Sequence, residues 1–110
     1  MRNTKESSPI KYKENFFFEY LKQAPLPLAL ERTLECNIFA TKTLKRPILD
    51  IGCGEGLFAN ILFSEKIEVG IDPQASELSR AKELGGYNEL IECYGNQIPK
   101  GDKSFKTILS

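Results

Sequence analysis

At 110 residues, the chain is long enough for one domain or part of one, with little room for a second core. Hydrophobic residues make up 41% of the sequence and charged residues 27%, a balance that excludes a mainly disordered chain. Lys and Arg together number 15, as do Asp and Glu, so no overall electric field attracts nucleic acid or acidic lipid. Any partner must therefore be recognised by a local site.

The cysteine content and the N-terminal sequence limit the classes of site. The 3 cysteines are widely spaced and the chain has no histidine, so a disulfide framework and a zinc site are both poorly supported. The first residues, "MRNTKESSPIKYKE", lack the apolar core of a signal peptide, and no apolar run is long enough to span a membrane. We therefore predict a cytoplasmic protein without a metal site or transmembrane segment.

The first 46 residues divide into a polar arm and a helical segment. Residues 1–14 are predicted to be a flexible or loosely docked arm, and residues 15–46 to be helical. Aromatic and apolar side chains recur at helical spacing in "NFFFEYLKQA", which favours a short helix packed on the core. A longer helix is predicted after Pro25, with Leu30, Leu34 and Ile38 on one stripe and three cations, Lys42, Lys45 and Arg46, near its C-terminus.

From Pro47 onward, predicted strands and helices alternate. The runs "PILDI", "IEVGI", "ELIEC" and "FKTILS" are typical of strands, and helices are predicted in "GEGLFANILFSE" and "PQASELSRAKEL". Such alternation is the pattern of a parallel sheet with helices on its faces. The sequence thus predicts an α/β fold, a Rossmann-like sheet of four strands preceded by N-terminal helices.

Gly52, Gly54 and Gly56 directly follow the first predicted strand. In a parallel α/β sheet, ligands bind beyond the carboxyl ends of the strands, where this loop is expected to lie. Asp72 ends the second strand about twenty residues after the first glycine, the separation at which an acidic side chain binds ribose hydroxyls. These residues together predict a nucleoside pocket.

The spacing of the glycines helps to discriminate among nucleosides. Dinucleotide enzymes carry G-x-G-x-x-G, with a pyrophosphate at the helix N-terminus, whereas this loop is G-x-G-x-G and places Glu55 before its last glycine. A carboxylate is a poor neighbour for a diphosphate, so the site favours an uncharged or cationic ligand. A Walker-type phosphate loop is excluded because no G-K-[ST] follows.

Three stretches, "ILDIGCGEGLFA", "VGIDPQASELSRAKE" and "QIPKGDKSFKTILS", resemble the first three motifs of class I S-adenosylmethionine-dependent methyltransferases, particularly the small-molecule, quinone-biosynthesis-like branch. The resemblance implies S-adenosylmethionine as the cofactor and a small-molecule methyl acceptor. It places Asp50 at the aminoacyl end of the cofactor, Asp72 at the ribose and Pro73 beside the adenine. The implied glycine-loop contacts to the methionine and ribose portions are Gly52, Cys53, Gly54 and Gly56.

The sequence also departs from the resembled pattern. Where many members carry an acid that accepts from the adenine amino group, this chain has Tyr94, and backbone groups of Gly95 and Asn96 are expected to replace that acid. The resembled fold has seven strands and this sequence covers four of them, so most of the acceptor site is expected elsewhere. We expect the 110-residue chain alone to be inactive, and to be completed by a C-terminal segment or to self-associate through its fourth strand.

Two other functions remain open at this stage. One is a non-catalytic nucleoside-binding or regulatory module, and the other, disfavoured by the glycine spacing, is a nicotinamide dinucleotide-binding enzyme. Cys53 is not expected to be a nucleophile, because no histidine is present to activate it. No catalytic base is identified, and the aromatic segment 16–20 is a candidate cover for an apolar acceptor.

Overall fold

A computed structural model describes residues 9–98 and 105–109. Its centre is a four-stranded sheet in the order β3-β2-β1-β4, in which all three pairings are parallel. The strands are β1 (Ile48–Ile51), β2 (Ile67–Asp72), β3 (Tyr87–Glu92) and β4 (Thr107–Leu109). The prediction of a Rossmann-like parallel sheet is confirmed. Residues 99–104 and 110, which belong to the third predicted motif, lie outside the described residues.

Four α-helices accompany the sheet: α1 (Phe16–Leu21), α2 (Leu26–Ala40), α3 (Leu57–Leu62) and α4 (Ala75–Leu84). Each contributes buried side chains to one large apolar cluster that also contains Ile48 and Ile67 of the sheet. A smaller cluster on the other side of the sheet contains Leu49, Val69 and Ile71. Among the described residues, that second cluster is covered by irregular segments near Ile98 and Phe105, so the α-helices share one face of the sheet.

Of the two alternatives predicted for the N-terminal arm, residues 9–14 adopt the docked one. Ile10 is 4% exposed, and its N–H donates to the carbonyl of Leu44. Farther along, the N–H of Lys13 donates to the carbonyl of Leu62. Burial of one large apolar side chain and these backbone hydrogen bonds stabilise a segment whose polar composition had suggested disorder. Residues 1–8 lie outside the described residues.

The predicted helical segment 15–46 is two helices, and its apolar stripe faces outward. Helix α2 ends at Ala40, so the three predicted C-terminal cations follow the helix instead of completing it. Leu30, Leu34 and Ile38 are 51%, 65% and 61% exposed. Helix α2 instead buries Ala29 and Cys36, both small residues one heptad apart, which let the helix axis approach its neighbours closely.

Helix α1 fits its prediction in part. Phe16 and Tyr20, four residues apart, are buried in the large apolar cluster, as the helical spacing predicted. Phe17 and Leu21, which belonged to the same predicted face, are 36% and 41% exposed. The buried face is therefore narrower than the aromatic run suggested.

Candidate functional site

The glycine loop, Gly52–Gly56, joins β1 to α3. All three of its glycines have positive φ, with values of 70°, 56° and 78° in chain order. L-residues with a side chain rarely adopt this region, because Cβ then approaches the carbonyl oxygen. A Cβ on Gly52 would meet no atom within 4 Å, so the backbone there faces open space. The alternating glycines therefore allow a sharply curved loop with bare backbone on its open side.

The carboxylate of Asp72 holds this loop from the end of β2. Asp72 is 9% exposed. Its Oδ2 accepts a hydrogen bond of 3.0 Å from the N–H of Gly54, and its Oδ1 accepts one of 2.9 Å from the N–H of Gln74. Hydrogen bonds to a charged acceptor are stronger than those between neutral groups, so this one side chain ties the glycine loop to the loop that follows β2.

Asp50 of β1 lies beside a tyrosine from two strands away. The Tyr87 hydroxyl donates a 2.6 Å hydrogen bond to Oδ2 of Asp50. Burial raises the pKa of Asp50, while the hydrogen bond from Tyr87 acts in the opposite direction. Nearby, burial together with the negative charges of Asp50 and Asp72 raises the pKa of Cys53 to about 12. Cys53 is therefore a neutral thiol, which supports the expectation that it is not a nucleophile.

A cavity of about 730 Å³ opens over the glycine loop. Its size lies within the range of roughly 300–1,000 Å³ that is common for small-molecule sites. Asp50 and the glycine loop form one part of its wall. Side chains from α1 and α2, which we call the helical cover, form another part. The residues of the helical cover that line the cavity are Tyr20, Leu28, Arg32, Glu35 and Phe39.

The predicted cofactor-binding residues fall into two groups around this cavity. Those of the first strand and its loop all line it: Asp50, Gly52, Cys53, Gly54 and Gly56. The remainder, Asp72, Pro73, Gly95 and Asn96, do not line it. Their predicted contacts to ribose and adenine stay predictions, with Asp72 bonded to backbone and Pro73, Gly95 and Asn96 exposed.

The segment predicted to contact adenine nevertheless lies close to the first strand. Gly95 and Asn96 belong to a single 3₁₀ turn, Gly95–Gln97, that follows β3. A Cβ on Gly95 would lie 3.1 Å from Cγ2 of Ile51, a residue that itself lines the cavity. The turn is thus adjacent to the carboxyl end of β1. Tyr94, the residue before the turn, is itself exposed to solvent.

Sequence reasoning missed the polar residues of the helical cover. Arg32 and Glu35 lie one turn apart on α2, and one nitrogen of the guanidinium, Nη1, donates to both carboxylate oxygens at 2.9 Å. An i,i+3 pair of opposite charges is common on solvated helix faces, so its sequence gave no signal of a ligand site. Tyr20 was noticed only as part of the aromatic segment, and Tyr87 was not identified.

The charged groups around the cavity differ in their partners. Glu35 pairs with Arg32, and both Glu55 and Glu77 approach Arg80, at 3.8 and 3.9 Å. Asp50 forms no ion pair with any Lys or Arg within residues 9–98 and 105–109, and its side chain accepts a hydrogen bond from the neutral Tyr87 hydroxyl. The cavity therefore contains a partly buried carboxylate that lacks a cationic partner in the described structure.

Two other kinds of site find no support in the part of the chain that the structure describes. Its acidic and cysteine side chains form no group of three or more that could hold a metal ion. None of its helices combines the length and hydropathy of a bilayer-spanning segment.

Comparison with solved structures finds similar chains among methyltransferases. A crystal structure of the plantazolicin methyltransferase BpumL with a monoazolic desmethylPZN analog and SAH is 22% identical, with a TM-score of 0.49, over 86% of this chain and 35% of that chain. Another, with a pentazolic analog and SAH, is 24% identical with a TM-score of 0.47. This chain thus spans about a third of the length of those proteins. None of the curated proteins matches it.

A comparison with protein families gives a more direct result. The family described as "Methyltransferase domain" matches residues 49–110, more than half of the chain. The match begins in β1 and includes the glycine loop, Asp72 and β4. The resemblance to class I S-adenosylmethionine-dependent methyltransferases, inferred from the motifs, is confirmed by this match. The chain belongs to the methyltransferase domain family.

Proposed function

We propose that the cavity over the glycine loop binds S-adenosylmethionine, and that the protein to which this chain contributes transfers its methyl group to a small-molecule acceptor. The single observation that carries the proposal is the Asp50 carboxylate, which lines the cavity without a cationic partner among the described residues. Buried charges in proteins are generally paired. A ligand that brings its own positive charge would complete the site.

S-adenosylmethionine has the charges that this cavity lacks. Its α-ammonium group suits Asp50, and its carboxylate suits the guanidinium of Arg32, the cation that lines the cavity among the described residues. The bare backbone at Gly52 leaves room for the ligand to approach the main chain. A dinucleotide pyrophosphate would instead bring negative charge towards Asp50 and Glu55, which disfavours the nicotinamide alternative.

The residues of this chain contribute binding and orientation. When bound, S-adenosylmethionine supplies an activated methyl group on its sulfonium. Asp50 and Arg32, which both line the cavity, would fix the aminoacyl end, so that the direction of the transferable methyl is set relative to an acceptor. Asp72, whose contact to the ribose stays a prediction, holds the N–H of Gly54 and thus the curvature of the loop. No residue here is assigned as a catalytic base.

Calorimetric titration of the chain with S-adenosylmethionine and, separately, with NADH tests the proposed function. We expect a single site for S-adenosylmethionine that NADH does not occupy or compete for. Transfer of labelled methyl groups to a panel of small-molecule acceptors, assayed with the whole protein to which this chain contributes, then distinguishes an enzyme from a non-catalytic binding module. Preferential binding of NADH, or no binding of S-adenosylmethionine at any pH, would contradict the proposal.

A further inference from the structure

Tyr87 is the first residue of β3, and its side chain lies across the neighbouring strand β2. Only 6% of the residue is exposed. From β3 its ring extends past the middle strand β2, and its hydroxyl reaches Asp50 of β1 at 2.6 Å. A tyrosine hydroxyl is both polar and long-reaching, and when buried it usually has a specific partner. Here that partner is the one cavity carboxylate without an ion pair among the described residues.

Two glycines make space for the ring. A Cβ on Gly70, the β2 residue paired with Asp50, would lie 2.7 Å from Cε1 of Tyr87. A Cβ on Gly56, the last glycine of the loop, would lie 2.9 Å from Cε2 of the same ring. Both distances are shorter than carbon atoms tolerate, so the ring fills the space that the two glycines leave. The glycine loop therefore packs directly on Tyr87.

We propose that Tyr87 is a positioning residue: its hydroxyl orients the Asp50 carboxylate towards the cavity, and its ring supports the end of the glycine loop. The inference rests on the proposed function, because it assigns Asp50 to the cationic end of S-adenosylmethionine. The inference adds to the site a residue of β3 that does not line the cavity. This residue would orient Asp50 before the ligand binds.

The surroundings of Asp50 determine how this contact acts. Burial raises the pKa of Tyr87, so its hydroxyl stays protonated at neutral pH and remains a donor. The other titratable groups near Asp50 are the neutral Cys53 thiol and Asp72 at the end of β2. Across the cavity, α1 presents Tyr20, α2 presents Arg32 and Glu35, and α4 presents Glu77. Tyr87 is thus the described group that donates to Asp50 and favours its charged form.

Replacement of Tyr87 by phenylalanine separates the hydroxyl from the ring. In Tyr87→Phe the ring still fills the space beside Gly56 and Gly70, but Asp50 loses its donor. We expect the pKa of Asp50, measured by carbon NMR of its carboxyl group without ligand, to rise by about one unit or more. The pH at which S-adenosylmethionine affinity begins to fall in acid should move upward by the same amount.

Tyr12→Phe is the matched control. It also removes a tyrosine hydroxyl that donates a hydrogen bond, of 2.8 Å to the carbonyl of Lys42, but it does not line the cavity. We expect this variant to leave both the Asp50 titration and the acid limb of binding unchanged. A purely structural role of tyrosine hydroxyls would give similar small stability losses in both variants and no shift in either titration.

The ligand-free titration also keeps the two proposals distinguishable. If the parent chain binds no S-adenosylmethionine, the proposed function fails, whereas an unchanged Asp50 titration in a folded Tyr87→Phe variant overturns the role of Tyr87. A second measurement covers the case in which Tyr87→Phe does not fold. The hydroxyl proton of Tyr87 in the parent chain should shift as Asp50 titrates and lose that response in Asp50→Asn; an insensitive proton would also overturn the inference.

Discussion

The two walls of the cavity are built in different ways. The glycine loop is held by specific polar bonds and close contacts: Asp72 binds the N–H of Gly54, and the ring of Tyr87 packs against Gly56. The helical cover is held by apolar packing through small residues, Ala29 and Cys36, and the long apolar side chains on the outer face of α2 are exposed. The glycine loop should therefore tolerate few substitutions, whereas the helical cover should tolerate many at its exposed positions.

Because of this difference, substitutions in the two walls should affect stability and ligand binding differently. A substitution in the glycine loop or its supports should alter both, because the same bonds that hold the loop also shape the cavity. A substitution in the helical cover can alter one without the other, because Arg32 lines the cavity from an exposed helix face while burial is concentrated at other positions. The following variants test that contrast, from the largest expected effect to the smallest.

Asp72→Ala should have the largest effect. It removes the acceptor for two backbone N–H groups, on Gly54 and Gln74, each worth about 1–3 kcal/mol when left unsatisfied. We expect the free energy of unfolding, measured by urea denaturation, to fall by about 2–4 kcal/mol, together with a loss of S-adenosylmethionine binding. Glu92→Ala, which removes the exposed carboxylate paired in register with Asp72, is the control and should change little.

Gly56→Ala should destabilise the chain more than Gly52→Ala. Both positions have positive φ, which costs an alanine about 1–2 kcal/mol. At Gly56 the added methyl also lies 2.9 Å from Tyr87 and 3.1 Å from Ala81, whereas at Gly52 it enters open cavity space. Calorimetry should show that Gly52→Ala weakens S-adenosylmethionine binding. Thermal unfolding should show that it lowers the melting temperature less than Gly56→Ala does. Equal melting temperatures would contradict the packing of Tyr87 beneath the loop.

Arg32→Gln should affect binding but hardly stability. Its side chain is 43% exposed and its ion pair with Glu35 is a solvated pair worth little to folding. Loss of the guanidinium should weaken S-adenosylmethionine binding by about three- to tenfold, as for an exposed charge-assisted contact. Affinity for 5′-methylthioadenosine, which has no carboxylate, should be the same in both proteins. An equal loss for both ligands would remove Arg32 from the aminoacyl site.

Leu34→Gln should have the smallest effect. Leu34 is 65% exposed at the centre of the outward stripe of α2. A polar substitution at such a surface position usually changes stability by less than about 0.5 kcal/mol. Urea denaturation should therefore give the same midpoint within error, and binding should be unchanged. A loss above about 1 kcal/mol would mean that the stripe is buried against another surface in solution.

The contrast also explains which features could be predicted from the sequence. Three glycines after a buried strand need a curved loop whatever surrounds it, and the apolar runs with their helical connections specify a parallel sheet. The orientation of α2 depends instead on which of its faces can pack closely against the rest of the domain. Ala29 and Cys36 fit there, and the more apolar Leu30, Leu34 and Ile38 do not, a choice that a hydrophobic pattern alone cannot make.

The site shows the same division. Asp50 and the loop glycines, which were predicted to contact the cofactor, line one cavity because they lie close together in the chain. The contact between Tyr87 and Asp50 spans 37 residues and depends on Gly70 leaving room for the ring, so it has no local signature. The bonds from Asp72 to two backbone N–H groups likewise depend on the folded course of both loops.

Asp50→Asn tests the central claim, that a cationic ligand completes the cavity. Asparagine keeps the shape and still accepts from Tyr87, but it has no charge. Because burial raises the pKa of Asp50 in the folded chain, its protonated carboxyl group favours folding in acid, and that contribution is lost as pH rises through the folded pKa. The variant should therefore be more stable than the parent at neutral pH, and this advantage should disappear in acid.

The deciding measurement is the affinity of S-adenosylmethionine for Asp50→Asn, by calorimetry at neutral pH, with Glu92→Gln as a control that removes an equal charge from an exposed position. We predict a loss of about tenfold or more in Asp50→Asn, from the missing charge–charge contact, and none in Glu92→Gln. The parent's affinity should also fall as pH drops through the pKa of Asp50. Unchanged affinity in a folded Asp50→Asn variant would contradict the account.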